Sequence, residues 1–471
     1  MIYYKVGYFA LYEVGDYLDK SKQLGEENIG KLLLKFSIPA IVGMLVNALY
    51  NVVDRIFIGR GVGKLALSGV TVTFPIANII LAFGMLVGIG TAALISIKLG
   101  QQKKEDAEHI LGNAFTLIII ISILVTVIGL IFLEPMLIKF GASSETLPYA
   151  KEYIRIILIG VIFQNIGFGL NNTIRSEGNP RVAMITMLIG GILNTILDPL
   201  FIFVFHMGTK GAAIATVISQ AVNTIWVLAY FFGGRSALKI RYKNLKLDFK
   251  VVMSIFAIGM SPFSMQIAAS IVTIISNRSL VKYGGDLALG AMGIIMSIAM
   301  MVLMPIFGIN QGSQPIIGYN YGAKKYDRVK HTLKLAILAA TIITTTGFII
   351  IQLFPRQLIS IFNKDPELIN IGVRGIRTYL FMIPVIGFQI ISSNYFQAIG
   401  KAKISIFLGL SRQVIILIPL LFILPRFFGL NGVWVSGPSS DLIASILTAV
   451  FLFVEIRHLN KLHGEDKDVI I

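Results

Sequence analysis

Apolar runs of about 20 residues recur along almost the whole 471-residue chain, and that recurrence leaves few folds open. In lipid every backbone N–H and C=O must find its partner within the protein, so only helices and closed barrels cross a bilayer. Runs of this length are helical spans. The composition agrees: 55% of residues are hydrophobic and 14% are charged, against roughly a quarter charged in soluble domains. The net charge of +17 would suit nucleic acid. The basic residues lie in short connections between apolar runs, however, where the positive-inside rule accounts for them and no nucleic-acid partner is implied. Cysteine is absent, which excludes disulfides, thiol catalysis and cysteine metal sites.

Twelve transmembrane helices are expected, near 33–57, 68–97, 110–133, 150–172, 181–205, 211–232, 251–275, 288–318, 332–354, 372–395, 403–425 and 432–455. With both termini inside, cytoplasmic segments hold 26 of the 41 Lys and Arg residues and outer segments 14, with Arg412 inside a span. That bias places both termini in the cytoplasm of a multi-pass cell-membrane protein. The expected organisation is a cytoplasmic tail (1–30), a six-helix lobe (31–232), a basic cytoplasmic linker (233–250), a second six-helix lobe (251–457) and a tail (458–471). The first 30 residues lack the apolar core and cleavage site of a signal peptide.

The two lobes repeat one another. Shifting the second by 222 positions aligns Gly90 with Gly312, Gly100 with Gly322, Lys103 with Lys325, His109 with His331, Arg155 with Arg377 and Gly178 with Gly400. One constant offset over that length marks an internal repeat. Six spans per repeat means both enter the membrane the same way, as in transporters built of two pseudo-symmetric bundles. The fold class expected is an all-α polytopic membrane protein.

Polar residues in the first lobe break the apolar pattern. Asn47, Tyr50, Asn51 and Asp54 follow i, i+3, i+4, i+7 spacing and share one face of the first span. In the fifth, LNTILDPLFIF sets Asn194 and Asp198 four apart, ahead of Pro199, which cannot donate its backbone N–H. At 1.5 Å per residue, Asp54 lies roughly 28 Å from Lys35 and Asp198 roughly 25 Å from Arg181, while Thr216 lies about 9 Å in from Lys210. In a core about 30 Å thick all three fall in the outer half. Carboxylate, amide and hydroxyl oxygens together suit a hard cation such as sodium, and the same carboxyls could carry a proton. The plainer alternative leaves Asp54 at the lipid interface and pairs Asp198 with a neighbouring amide. The second lobe has Leu420, Ile416 and Pro438 where Asp198, Asn194 and Thr216 stand, so this set belongs to the first lobe alone.

In the eighth span Met292, Met296, Met300 and Met304 recur every fourth position, an adaptable face that a drug-binding cavity or simple packing would use. Asp441 is the second lobe's intramembrane acid, able to attract cations or to cap the bend after Pro438. RSEGNPR (175–181) and QAIGKAK (397–403) read as tight turns. Enzyme signals fail: GRGVGKL (59–65) lacks the glycine spacing and the Ser/Thr of a phosphate loop, and no G-x-S-x-G or H-E-x-x-H occurs.

In order and spacing, VVDRIFIG, GTAALISIKLGQ, RSEGNPR, LNTILDPLFIF and GAAIAT resemble the multidrug and toxic compound extrusion (MATE) family over about residues 25–457. GINQGSQPIIGYNYGAKK is most similar to its MepA-like bacterial branch. The resemblance implies a V-shaped pair of six-helix bundles exporting drugs or dyes in exchange for sodium ions or protons. It assigns the positions of Asp54, Asn194, Asp198 and Thr216 to the cation site. Members with an acid in the seventh span differ from this chain, whose SPFSMQIAASIVTIIS has none. No cofactor beyond the coupling ion and no oligomer beyond a monomer is required. A lipid-linked saccharide flippase would want several cavity cations, where only Arg412 lies deep in a span. A prenyl-transferring enzyme would want aspartate-rich repeats, which are missing.

Overall fold

The computed structural model describes residues 21–468. Residues 1–20 of the expected amino-terminal tail, and the last three of the carboxy-terminal one, lie outside the described residues. Among the described residues nine helices are long and apolar enough to cross a membrane, and one bent pair supplies a further span. Two of the nine are double length and each contains one glycine outside helical geometry, Gly285 (φ 66°) and Gly429 (φ 56°). Dividing them there gives the twelve expected spans.

These are α1 (Ile29–Gly61), α2 (Leu65–Gly100), α3 (Lys104–Ile131), α4 (Leu147–Ser176), α5 (Pro180–Val204) and α6 (Gly208–Phe232). The second six are α7 (249–284), α8 (286–322), α9 (Tyr326–Leu353), α10 (Pro366–Tyr379 and Ile383–Ala398, bent by 49°), α11 (402–428) and α12 (430–468). Helix α12 continues through the residues expected to form the carboxy-terminal tail.

The repeat is written into the backbone as well. Left-handed φ angles occur in pairs 222 residues apart: Gly63 and Gly285, Gly178 and Gly400, and the non-glycine pair Gln102 (φ 60°) and Lys324 (φ 57°). A non-glycine residue in that region is uncommon, so its recurrence at the repeat offset is specific. The same turn closes both: the Lys103 N–H donates to Lys98 O, and the Lys325 N–H to Asn320 O.

The chain divides into two compact units, one holding Ile38–Phe263 and the described residues up to Glu27, the other Ser264 onward together with Asn28–Ser37. The first turns of α1 therefore group with the second unit, and those of α7 with the first. In the first unit α2 and α7 touch through backbone. A Cβ built on Gly259 would lie 1.7 Å from the Leu86 carbonyl oxygen, and one on Gly90 would lie 2.3 Å from that of Ile255. In the second unit α8 approaches Ser37 in the same way, a Cβ at Gly312 falling 2.6 Å from its Oγ. One buried cluster of the second unit gathers Ile295, Ile376, Ile383 and Trp434; one of the first includes Leu137, Ile154 and Val161.

The linker is clamped onto the first unit. Glu177, fully buried in the turn between α4 and α5, accepts on Oε2 from Ser236 Oγ at 2.7 Å and from the amides of Ala237 (3.1 Å) and Leu238 (3.3 Å). Glu108 holds Arg241 at 2.6 Å, and Asn113 Oδ1 accepts from the Asp248 amide at 2.6 Å. Burial pushes the Glu177 carboxyl up to about 7, against hydrogen bonds from Tyr230, Ser236, Leu238 and Ala237. A carboxyl raised in the folded protein keeps its proton where the unfolded chain has lost it. Its stabilisation is complete below the ordinary carboxylate range and is lost as pH rises through about 7. Hydrogen exchange at the Ala237 and Leu238 amides, corrected for intrinsic rates, should therefore accelerate at least about threefold between pH ~5.5 and ~8. Glu177→Gln should flatten that dependence; an unchanged profile in the variant would assign it to another group.

Candidate ion-binding site in the first unit

Local sequence sets up each wall of this site. On α5 the apolar period leaves Asn194 and Asp198 on the inward face, at 2% and 0% exposure. Pro199 ends the regular hydrogen-bond ladder, and Leu200–Val204 continue as a π-helical turn, with the Phe205 amide donating to Leu200 O at 3.0 Å. Such bulges follow when a ladder donor is missing. On α1 the residue that turns inward is Asp54, 8% exposed.

These groups meet. Asn194 Nδ2 donates to Asp198 Oδ1 at 3.2 Å and to Thr216 Oγ1 of α6 at 3.3 Å. The Asp54 and Asp198 carboxyls lie close enough to act on each other electrostatically. Asp54 Oδ1, Asp198 Oδ2 and Asn194 Oδ1 are buried without a hydrogen-bond partner. Buried acceptors left unpaired are costly, and two ionised carboxylates at this separation repel. A shared proton or a hard cation between them would relieve both terms, and the oxygen-only donor set fits sodium chemistry. Arg55, the nearest cation in sequence, is stacked on the Phe74 ring, 4.2 Å from its centroid, while remaining within electrostatic range of Asp54.

The remaining α1 residues divide. Tyr50 lies against Gly191 of α5, within electrostatic range of both acids. Asn47 and Asn51 are exposed and pair with each other, Asn51 Nδ2 donating to Asn47 O at 2.7 Å. Four residues on one face of α1 thus serve two surroundings, because that face is wider than the strip that α5 covers.

Tyr153 near the acids, and two further polar residues along α6, were not among the expected site residues. Tyr153 of α4 lies within electrostatic range of both Asp54 and Asp198. On α6, Gln220 and Asn223 follow Thr216 at i+4 and i+7, and both keep a buried amide oxygen without a partner. Gln220 Nε2 reaches Gln164 Oε1 of α4 at 3.5 Å. The α6 spacing was a usable signal; Tyr153 had none, since a lone tyrosine near a span end is ordinary.

The MatE family model matches residues 39–200 and 251–423, well over half of the chain. The chain belongs to the MatE family. Multidrug export protein MepA of Staphylococcus haemolyticus (strain JCSC1435) is 27% identical over 433 residues, spanning 92% of this chain and 95% of that relative. MepA of Staphylococcus aureus (strain MSSA476) is 27% identical over 421 residues, 89% of this chain and 92% of the relative. Among solved structures, a MOP superfamily transporter from Pyrococcus furiosus superposes with a TM-score of 0.88 at 26% identity, covering 93% and 98% of the two chains. The MATE multidrug transporter DinF-BH gives a TM-score of 0.86 at 44% identity over 91% of this chain and 96% of that one.

Side-chain burial and pairing in the second unit bear on two further expectations. The methionine positions do not form one wall. Met292 is buried in the core, Met296 packs against that core, Met304 is half-buried and Met300 is 50% exposed. A four-residue step advances 400° around a helix, so such a stripe drifts to a new face within three steps. Asp441 is not a free acid awaiting a cationic substrate: Arg412 Nε donates to its Oδ1 at 2.6 Å, and the carboxylate is 4% exposed. Arg412 lies on a π-helical segment (Ser411–Leu417), which alters the facing of side chains that regular spacing would predict.

Proposed function

We propose that this protein is a secondary active exporter, exchanging cationic or amphipathic drugs or dyes for sodium ions or protons by alternating access in the cell membrane, both termini cytoplasmic. The observation that supports this reading is the Asp54–Asp198 pair, with its unpartnered oxygens and the amide of Asn194 beside it. In this mechanism a cation or proton entering from outside joins α1 to α5 by bridging the two carboxyls. The closed gap favours a packing of these helices with lower affinity for the drug, which leaves to the exterior; release of the ion to the cytoplasm restores the starting packing. An ion drives such a cycle only through its different affinity for the two packings. The relatives called multidrug export proteins support drugs as the cargo.

The test is ethidium efflux from vesicles holding the purified protein, under a sodium gradient alone and then a proton gradient alone. At least one gradient should drive efflux above that of protein-free vesicles. Transport indifferent to both would remove ion coupling.

A further inference from the structure

The basic residues of the second unit are not all accounted for by topology. Under the orientation read from charge, the outer stretch running from the α9–α10 connection into the first half of α10 carries Arg356, Lys364, Arg374 and Arg377, more basic residues than any other outer segment. Only Asp365 and Glu367 oppose them there, and Asp365 is engaged in capping, its side chain accepting from the Glu367 and Leu368 amides. Positive charge on that side runs against the positive-inside rule, so a local use is implied.

The structure gathers three of the four. Arg374 and Arg377 follow Asn370 at i+4 and i+7 on the exposed face of the first half of α10, whose opposite face buries Leu368, Ile369, Gly372 and Ile376. With Arg356 and Gln357 from the short helix Pro355–Ser360, these residues line a cavity of about 520 Å³. Arg377 is held in place: its Nη2 donates to Gln352 O at 3.1 Å, and Gln352 Nε2 donates to Arg377 O at 3.0 Å. Neither Arg356 nor Arg374 has a hydrogen-bond or ion-pair partner among the described residues. A second groove of about 410 Å³ opens beside the first and shares Arg377 with it. Its walls are mainly apolar: Phe381, Met382, Val435, Pro438 and Leu442. Leu353 and Phe381, which flank the junction, are more than half exposed.

We infer that this pair of cavities binds one anionic phospholipid, its headgroup phosphate held by Arg356, Arg374 and Arg377 and an acyl chain lying in the groove between α10 and α12. Guanidinium forks match phosphate oxygens, and a basic recess that continues into an apolar groove is complementary to an amphiphile rather than to a free anion. A bilayer supplies that ligand at every moment, which explains why Arg356 and Arg374 need no protein partner.

Native mass spectrometry of the full-length protein in detergent, with dioleoyl phosphatidylglycerol or dioleoyl phosphatidylcholine added, tests this. The wild type should retain one phosphatidylglycerol with about tenfold preference over phosphatidylcholine, and Arg356→Gln/Arg374→Gln should reduce that preference to less than about twofold. This double variant spares the Arg377–Gln352 bonds, so the fold is kept. A second readout uses Trp434, which neighbours Gly375 of α10 and adjoins the groove residue Val435. In a Trp226→Phe background Trp434 is the sole tryptophan. Phosphatidylglycerol brominated on its acyl chains should quench it saturably in the wild type and only in proportion to bulk lipid in the double variant. Equal retention and quenching in both proteins would overturn the proposal. So would displacement of the lipid by equimolar inorganic phosphate, which would make a free anion the ligand.

Discussion

Asp198→Asn should lower ion-driven dye efflux by about 5- to 150-fold, the range expected when a coupling free energy of about 1–3 kcal/mol is removed. The asparagine keeps the size of the side chain and can still accept from Asn194, so folding and expression should hold. What it deletes is the charge that faces Asp54, and with it the pair's ability to discriminate an occupied from an empty state. Asp54→Asn should produce a similar loss, and the double variant should be little worse than either single one, because two residues acting as one unit are not additive. Dye efflux from vesicles under the driving gradient, normalised to protein incorporated, measures each. Wild-type rates in Asp198→Asn would end the coupling role of the pair. Fully additive losses in the double variant would mean that the two acids act separately.

The second large effect is expected at Gly259. Its added Cβ would fall 1.7 Å from a backbone carbonyl oxygen of α2, a clash that no side-chain rotation can relieve. Helix packing through glycines depends on such backbone contact. Overpacking of this kind costs about 1–3 kcal/mol or more, so Gly259→Ala should lower the melting temperature by roughly 1–3 °C or more in a chain of this length. The matched control is Gly293→Ala, also in a helix, where nothing lies within 4 Å of the added carbon. That variant should be unchanged or slightly more stable, since alanine restricts the unfolded chain. Thermal melts followed by size-exclusion chromatography compare the two directly. Equal melting temperatures for both variants would show that α2 and α7 adjust their separation freely.

Much of this molecule was legible from the chain. Span positions follow from hydropathy, and the twelve expected helices coincide with the observed ones to within a few residues at most ends, except that α7 and α8, and α11 and α12, join through single glycines. The 222-residue offset predicted a repeat, and it reappears in left-handed backbone angles at Gln102 and Lys324 that no residue preference announces. Asn194 and Asp198 could be placed on one face because both sit on one helix, where the 3.6-residue period relates side chain to side chain.

What spacing along a helix could not supply was the rotation of each helix against its neighbours. That rotation took Asp441 to Arg412, gave Met292 to the core while leaving Met300 exposed, and brought Tyr153 toward the acids. It also let Glu177 reach across some 60 positions to hold the linker. Hydropathy and periodicity are local properties, so the chain by itself determined which segments cross the membrane, that they come in two copies, and which faces are polar. Which polar group meets which is fixed by side chains from several helices packing at once, and only the tertiary structure decided that.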